Sequence, residues 1–215
     1  RDVEQLPEDA ADDEHLRIVY DVKCSMNVEQ AILQAGGRPV MARTGHSFMK
    51  RVLASMPECN MAAEMSGHIF LADRGWYGFD CSLYNAARLI ELWSRHPAPA
   101  EGGPTFSSEL DRLAPSLPTT GEVKVPCAEE DKLEVVAAIT EAYEDHEASI
   151  VDGVRVRFED ENGEYVGWYL ARKSNTEAVL VMRMEAKTEA QLTKMKAMAN
   201  ERVSPIINIE KLLNA

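Results

Sequence analysis

The chain has 215 residues, 45% of them apolar, enough for one large domain or two of roughly 100 residues each and too many for a disordered chain. Its net charge of −13 argues against a nucleic-acid backbone binder, which would present a basic face, and against general attraction to anionic membranes. No apolar run approaches the ~18 residues of a membrane-spanning helix, and no signal-peptide pattern opens the chain.

The acidic start, RDVEQLPEDAADDEH, reads as a solvated linker, and without an initiator methionine it is expected to lie inside a longer protein. LRIVYDV (16–22) then predicts a buried strand. Asn27, with Gln30 at the reciprocal position, predicts a helix cap, and Gly36–Gly37 its end. RPVMA (38–42) predicts a second strand, and Phe48, Met49, Val52 and Leu53 recur at helical spacing after TGH. Strand and helix alternating in this way indicate an α/β fold on a mostly parallel sheet. IFLA (69–72) predicts another strand and SLYNAARLIELWSR (82–95) an amphipathic helix. The Pro- and Gly-rich stretches at 96–106 and 113–126 form the best candidate for an interdomain segment.

The second half has a different rhythm. A helix near 129–144 precedes two alternating strands around Asn162–Gly163, a hairpin signal. A third strand follows at 178–186, and Thr188 with Gln191 predicts a capping box for a closing helix bearing Leu192, Met195 and Met198. This part reads as a small α+β domain. The four cysteines are far apart with no C-x-x-C pair, which fits reduced thiols in a cytosolic protein and argues against a structural zinc site.

Three places carry candidate chemistry. The first is AAEMSGHIF, where Glu64, Ser66 and His68 alternate beside Gly67, with a second Gly-His pair at His46. Two partly buried histidines satisfying backbone groups are the plain alternative. A metal reading would use His46, Glu64 and His68, but Ser-Gly between the last two disfavours a shared helix face and no third ligand stands at metal spacing. A Ser66/His68 hydrolase would need a G-x-S-x-G elbow, which the chain lacks. Alternation along one side of an extended loop instead suits a grip on vicinal sugar hydroxyls. The second place is LARKSNTEA, where Arg172, Ser174, Asn175 and Thr176, helped by Lys173, supply what a phosphate dianion wants; a polar hairpin loop is the alternative. The third is Lys23, at the carboxyl end of the first strand, or simply a surface lysine. Remaining charges, such as DKLE and EAYEDHE, read as solvated helix faces.

DVKCS, TGHSFMK, AEMSGH, GWYGFDCSLYNAARLIEL and RKSNTEAVLVMRMEA follow one another in the order seen in the α-D-phosphohexomutases, and the chain resembles their bacterial phosphomannomutase/phosphoglucomutase branch from about Leu16 to Ala199. It departs from that branch at Arg43, Lys173 and Ala178. The resemblance covers only the third and fourth domains of such enzymes. It implies an α/β fold with a mixed-sheet third domain over 1–115 and a small α+β C-terminal domain over 116–215. It implies substrate-binding roles for Lys23, His46, Glu64, Ser66, Gly67 and His68 on the sugar side, and for Arg172, Ser174, Asn175 and Thr176 at a phosphate. The family's phosphoserine (T-A-S-H-N-like) and Mg²⁺ (D-G-D-G-D-R-like) motifs are absent from these residues, so no catalytic or metal residue is expected on this chain. The expected activity is that of a phosphotransferase exchanging hexose 1-phosphate and hexose 6-phosphate, with Mg²⁺ on the missing second domain. Glucose 1,6-bisphosphate or mannose 1,6-bisphosphate is the expected activator, and hexose phosphates and the missing N-terminal domains the expected partners, in the cytoplasm. The fragment alone is expected to be inactive; the alternative is a stand-alone, non-catalytic sugar-phosphate-binding module.

Overall fold

A computed structural model describes residues 16–56 and 58–215. The predictions made on residues 1–15 lie outside the described residues. The first sheet takes its strands from β1 (Arg17–Asp21), β2 (Arg38–Ala42), β3 (Cys59–Ala63) and β4 (Ile69–Leu71), in the order β2-β1-β3-β4. β1 runs parallel to both β2 and β3, and β4 is antiparallel to β3. Helices α1 (Met26–Gln34), α2 (His46–Ser55), α3 (Ser82–Trp93) and α4 (Phe106–Leu113) complete this unit. The core forms where Met49 and Leu53 of α2 meet Val19, Ala42, Ala62 and Phe70 of the sheet.

The chain changes sheets between Leu113 and Val123. The second sheet is antiparallel throughout, in the order β5-β9-β8-β7-β6: β5 (Val123–Pro126), β6 (Ala148–Ser149), β7 (Val154–Glu159), β8 (Tyr165–Lys173) and β9 (Val179–Ala186). Helices α5 (Lys132–Glu141), α6 (Glu189–Arg202) and α7 (Glu210–Leu213) accompany it. Ile139, Tyr169, Ala171, Met182, Met184, Leu192 and Met195 belong to its core. Each Ile, Leu or Met side chain fully buried in this way contributes roughly 1.5–3 kcal/mol.

β8 is buried on both faces, from Val166 to Arg172. Tyr169 and Ala171 face the second unit's own core, whereas Trp168 and Leu170 pack on Val22 and Met26 of the first unit. This joint is also polar. Glu185 accepts hydrogen bonds at one oxygen from Ser25 Oγ (2.9 Å), Met26 N–H (2.8 Å) and the Trp168 indole N–H (3.0 Å). Arg155 donates to the carbonyls of Val22 and Cys24 at 2.7 and 3.0 Å and lies over the Trp168 ring. A buried carboxylate and a buried guanidinium are tolerable here because each is hydrogen-bonded.

Several expectations need correcting. The cap of α1 is Ser25, whose Oγ accepts from Asn27 N–H; Asn27 instead turns its amide to the Pro115 carbonyl at 2.8 Å. The Pro-rich interdomain segment carries structure of its own. It holds α4, and Pro118 and Thr119 bond to β9 through Pro118 O–Ala186 N (3.0 Å) and Thr119 Oγ1–Met184 O (2.7 Å). The DKLE helix face is not wholly solvated, because Lys132 is 1% exposed. β3 (CNMAA) escaped the sequence reading because it lacks β-branched residues; pairing on both sides makes it a strand. The amphipathic helix α3 is present, yet none of its residues is fully buried, and Leu83, Leu89, Ile90 and Leu92 stand exposed.

Candidate functional site

Glu64, Ser66 and His68 do not alternate along an extended loop. They form the turn of the β3–β4 hairpin: Glu64 N–H donates to His68 O (2.9 Å), and Gly67 N–H donates to Glu64 O (2.9 Å). Gly67 has φ +91°, a conformation that other residues adopt at a cost, and this lets a three-residue loop close the hairpin. Glu64 and His68 therefore face each other across the hairpin base, and Ser66 stands at its exposed tip.

The hairpin base meets the start of α2. Gly45 N–H donates to Glu64 Oε1 at 2.6 Å, and Glu64 Oε2 lies 4.0 Å from His46 Nε2. Burial of Glu64 to 6% exposure keeps this contact out of bulk water. The rings of His46 and His68 meet edge-on with centroids 4.4 Å apart. Asp80, just before α3, has its Oδ2 2.7 Å from His68 Nδ1 and 3.7 Å from His46 Nε2. Two imidazoles and two carboxylates thus converge from three segments far apart in sequence.

The second polar region lies at the β8–β9 connection. Arg172, 6% exposed, donates from Nε to Asp152 Oδ2 at 2.8 Å, while its buried NH2 has no protein partner. Asp152 reaches this position because Gly153 follows it: a Cβ there would lie 2.3 Å from Ala171 O. Ser174 Oγ accepts from the N–H groups of Thr176 and Glu177 at 3.3 and 3.2 Å, which folds the loop. Asn175 and Thr176 are exposed on it. Beneath, the buried ammonium of Lys132 donates to the carbonyls of Ser174 (3.1 Å) and Glu177 (2.6 Å) and pairs with Glu129.

The two regions touch. Asp152 Oδ2 accepts from Arg172 Nε and also from Thr44 N–H at 3.3 Å, one residue before the Gly45 that holds Glu64. Thr44 Oγ1 in turn donates to Asp21 Oδ2 at 3.0 Å, at the carboxyl end of β1, where open α/β sheets gather ligands. The Arg172 loop of one sheet and the histidine cluster of the other border the same region.

Comparison with known proteins identifies the two units. Residues 4–103 match the model for phosphoglucomutase/phosphomannomutase alpha/beta/alpha domain III, and residues 122–202 that for the phosphoglucomutase/phosphomannomutase C-terminal domain. The chain belongs to the phosphoglucomutase/phosphomannomutase family. It is 36% identical over 197 residues to a phosphomannomutase/phosphoglucomutase of Pseudomonas syringae pv. tomato, covering 89% of this chain and 39% of that protein. A phosphoglucomutase of Neisseria gonorrhoeae is 35% identical over 184 residues, covering 84% and 36%. The crystal structure of a phosphoglucomutase/phosphomannomutase family protein from Burkholderia thailandensis superposes with a TM-score of 0.74 at 33% identity, covering 90% of this chain and 39% of that one. The chain thus spans about two fifths of the length of these relatives and corresponds to domain III and the C-terminal domain of the family.

Within this family half, the residues singled out in the sequence are placed as follows. His46, Glu64 and His68 come together, with Gly67 shaping their hairpin and Ser66 at its tip. Arg172 and Ser174 are buried at the base of the other loop, with Asn175 and Thr176 outside it. Lys23 follows Asp21 at the end of β1, and its ammonium pairs with Glu122, 3.3 Å away. Sequence reasoning missed Asp80, Asp152 and Lys132. Asp80 lies within a quoted motif, but Asp152 before a turn glycine and Lys132 among other charges give no signal of burial.

Proposed function

We propose that this chain is the substrate-recognition half of a phosphomannomutase/phosphoglucomutase, an intramolecular phosphotransferase that exchanges hexose 1-phosphate and hexose 6-phosphate in the cytoplasm. In this reading residues 1–115 are the sugar-recognition domain and 116–215 the phosphate-binding domain. The carrying observation is the shared Asp152 carboxylate, which sets the Arg172 loop beside Thr44 and Gly45. A phosphorylated sugar offers a dianion at one end and hydroxyls along the other. The Arg172 guanidinium, fixed through Nε on Asp152 and with its buried NH2 unpaired, supplies the positive charge for a phosphate, and the exposed Asn175 and Thr176 can add donors to it. Glu64, fixed by Gly45, accepts from sugar hydroxyls, and His68, Ser66 and His46 complete the grip. Lys23 is proposed as a cleft cation of the same site.

A ligand that must bind in two orientations needs one fixed phosphate clamp and a sugar loop tolerant of both, which suits a rigid Arg172 loop and an exposed Ser66. The phosphoserine, the Mg²⁺ site and the activation by glucose 1,6-bisphosphate or mannose 1,6-bisphosphate are assigned to the whole enzyme. The residues present here do not fit Mg²⁺, which prefers oxygen ligands: the one candidate group among the described residues, His46, Glu64 and His68, offers two ring nitrogens. No transfer step is therefore assigned to this chain, which should show no mutase turnover alone.

The test is Arg172→Ala in the full-length enzyme. Charge-assisted hydrogen bonds contribute about 1.5–3 kcal/mol each, so kcat/KM for hexose 1-phosphate should fall by roughly one to two orders of magnitude. A fall below about threefold would refute the clamp. Tight binding of hexose phosphate by the isolated chain would favour the stand-alone binding module instead.

A further inference from the structure

Ser66-Gly67 between Glu64 and His68 disfavours a helical metal site, but the hairpin removes that objection. It brings Glu64, His68 and the more distant His46 into one group, whose ligand atoms lie within 4.8 Å of one another. From this geometry we propose that His46, Glu64 and His68 form a binding site for a divalent transition-metal cation, zinc foremost, with Asp80 as a fourth donor.

The donor set selects the class of ion. Two imidazoles and one or two carboxylates suit zinc or cobalt and are poor for magnesium or calcium. Zinc bonds of about 2.0–2.2 Å place tetrahedral donors roughly 3.3–3.6 Å apart. His46 Nε2 is already 3.7 Å from Asp80 Oδ2 and 4.0 Å from Glu64 Oε2, so small side-chain rotations, one of which moves Asp80 Oδ2 off its 2.7 Å contact with His68 Nδ1, complete the shell. Glu64 is held by the Gly45 N–H on its other oxygen, the kind of outer hydrogen bond that fixes a ligating carboxylate. Both histidines are partly exposed, which leaves an entry path. The cluster also carries the negative charge to receive a dication: two carboxylates face two imidazoles. If the sugar-reading role proposed above holds, bound zinc would occupy its donors and inhibit competitively with sugar phosphate.

Titration calorimetry of this chain with ZnCl₂, and visible absorption with CoCl₂, tests the site. The expected result is about one bound ion with tetrahedral cobalt absorption, at least ~tenfold weaker in His46→Ala and His68→Ala and in Glu64→Gln, and unchanged in His96→Ala and Cys81→Ser. MgCl₂ should give no binding at the same concentrations. Each variant is checked by its urea midpoint, and His46→Gln and His68→Gln replace the alanines if these fail to fold. Absence of zinc binding overturns the proposal, as does affinity that survives both histidine substitutions or is lost only in Cys81→Ser. The readout uses no sugar, so failure here leaves the hexose phosphate reading standing, and failure of that reading leaves the metal site standing.

Discussion

Asp152 is where the fold and the proposed phosphate clamp depend on one side chain, and two substitutions separate its contributions. In Asp152→Ala the Arg172 guanidinium, 6% exposed and already without a protein partner at NH2, loses its counter-charge, and Thr44 N–H loses its acceptor. Removing one member of a buried ion pair costs about 3–5 kcal/mol. Water entering from the cleft side offsets part of this, so about 3 kcal/mol is expected, a large share of a typical domain's stability. Asp152→Asn keeps one carbonyl oxygen for Arg172 or Thr44 and loses only the charge, so about 1–2 kcal/mol is expected. Urea unfolding followed by far-UV circular dichroism measures both, with an unchanged m-value marking a pure stability effect. Equal losses in the two variants, or a loss below about 1 kcal/mol in Asp152→Ala, would refute a charge-dependent joint.

Three further outcomes follow from named contacts. Lys132→Met keeps the aliphatic stem but strips the carbonyls of Ser174 and Glu177 of their donor; a loss of about 2–3 kcal/mol and faster amide exchange across 174–178 are expected, and unchanged exchange there would remove Lys132 as the loop's support. Burial, and then the neighbouring Asp21 carboxylate, push the Cys24 thiol well above its usual range, and burial pushes Cys59 and Cys127 up as well. A thiol reagent at neutral pH should therefore modify Cys81 first, and early labelling of Cys24 would contradict this packing. Arg74 foremost, with Arg95 and Arg88, holds Glu91 down to about 2. A depressed carboxylate contributes stability above its unfolded value, and that stability is lost as pH falls from about 4.5 towards 2. Glu91→Gln should flatten the acid limb of the stability profile, and an unchanged limb would show that the pairs contribute nothing.

Most of the regular elements, though not β3, β5 or β6, were legible because their apolar patterns obey local periods: RPVMA is strand β2, and Thr188 caps α6 through Gln191 N–H. The segment 152–173 read as a hairpin from Asn162–Gly163, although Asp160 widens the turn by accepting from both Asn162 N–H and Glu164 N–H. What could not be read was set by partners remote in sequence. β3 is a strand through its neighbours, Lys132 is buried by a loop over forty residues away, and Asn27 yields its cap to Ser25 because Pro115 takes its amide. In the candidate site, the sequence named residues in motifs but not their geometry. An alternating row became a hairpin turn, and only the fold shows that Asp80 and Asp152 stand among them.

The Glu185 joint has a consequence for how the molecule comes apart. Ser25 and Met26 of the first unit and Trp168 of the second share one oxygen of Glu185, so separating the units strips that carboxylate of two of its three donors there and uncovers the apolar seam of Val22, Met26, Trp168 and Leu170. That cost makes independent melting of either sheet unfavourable, and loss of structure should be a single cooperative event. Trp168, fully buried at the seam while Trp76 and Trp93 are partly exposed, gives that event a built-in optical signal: its fluorescence and the backbone dichroism should change at the same urea concentration.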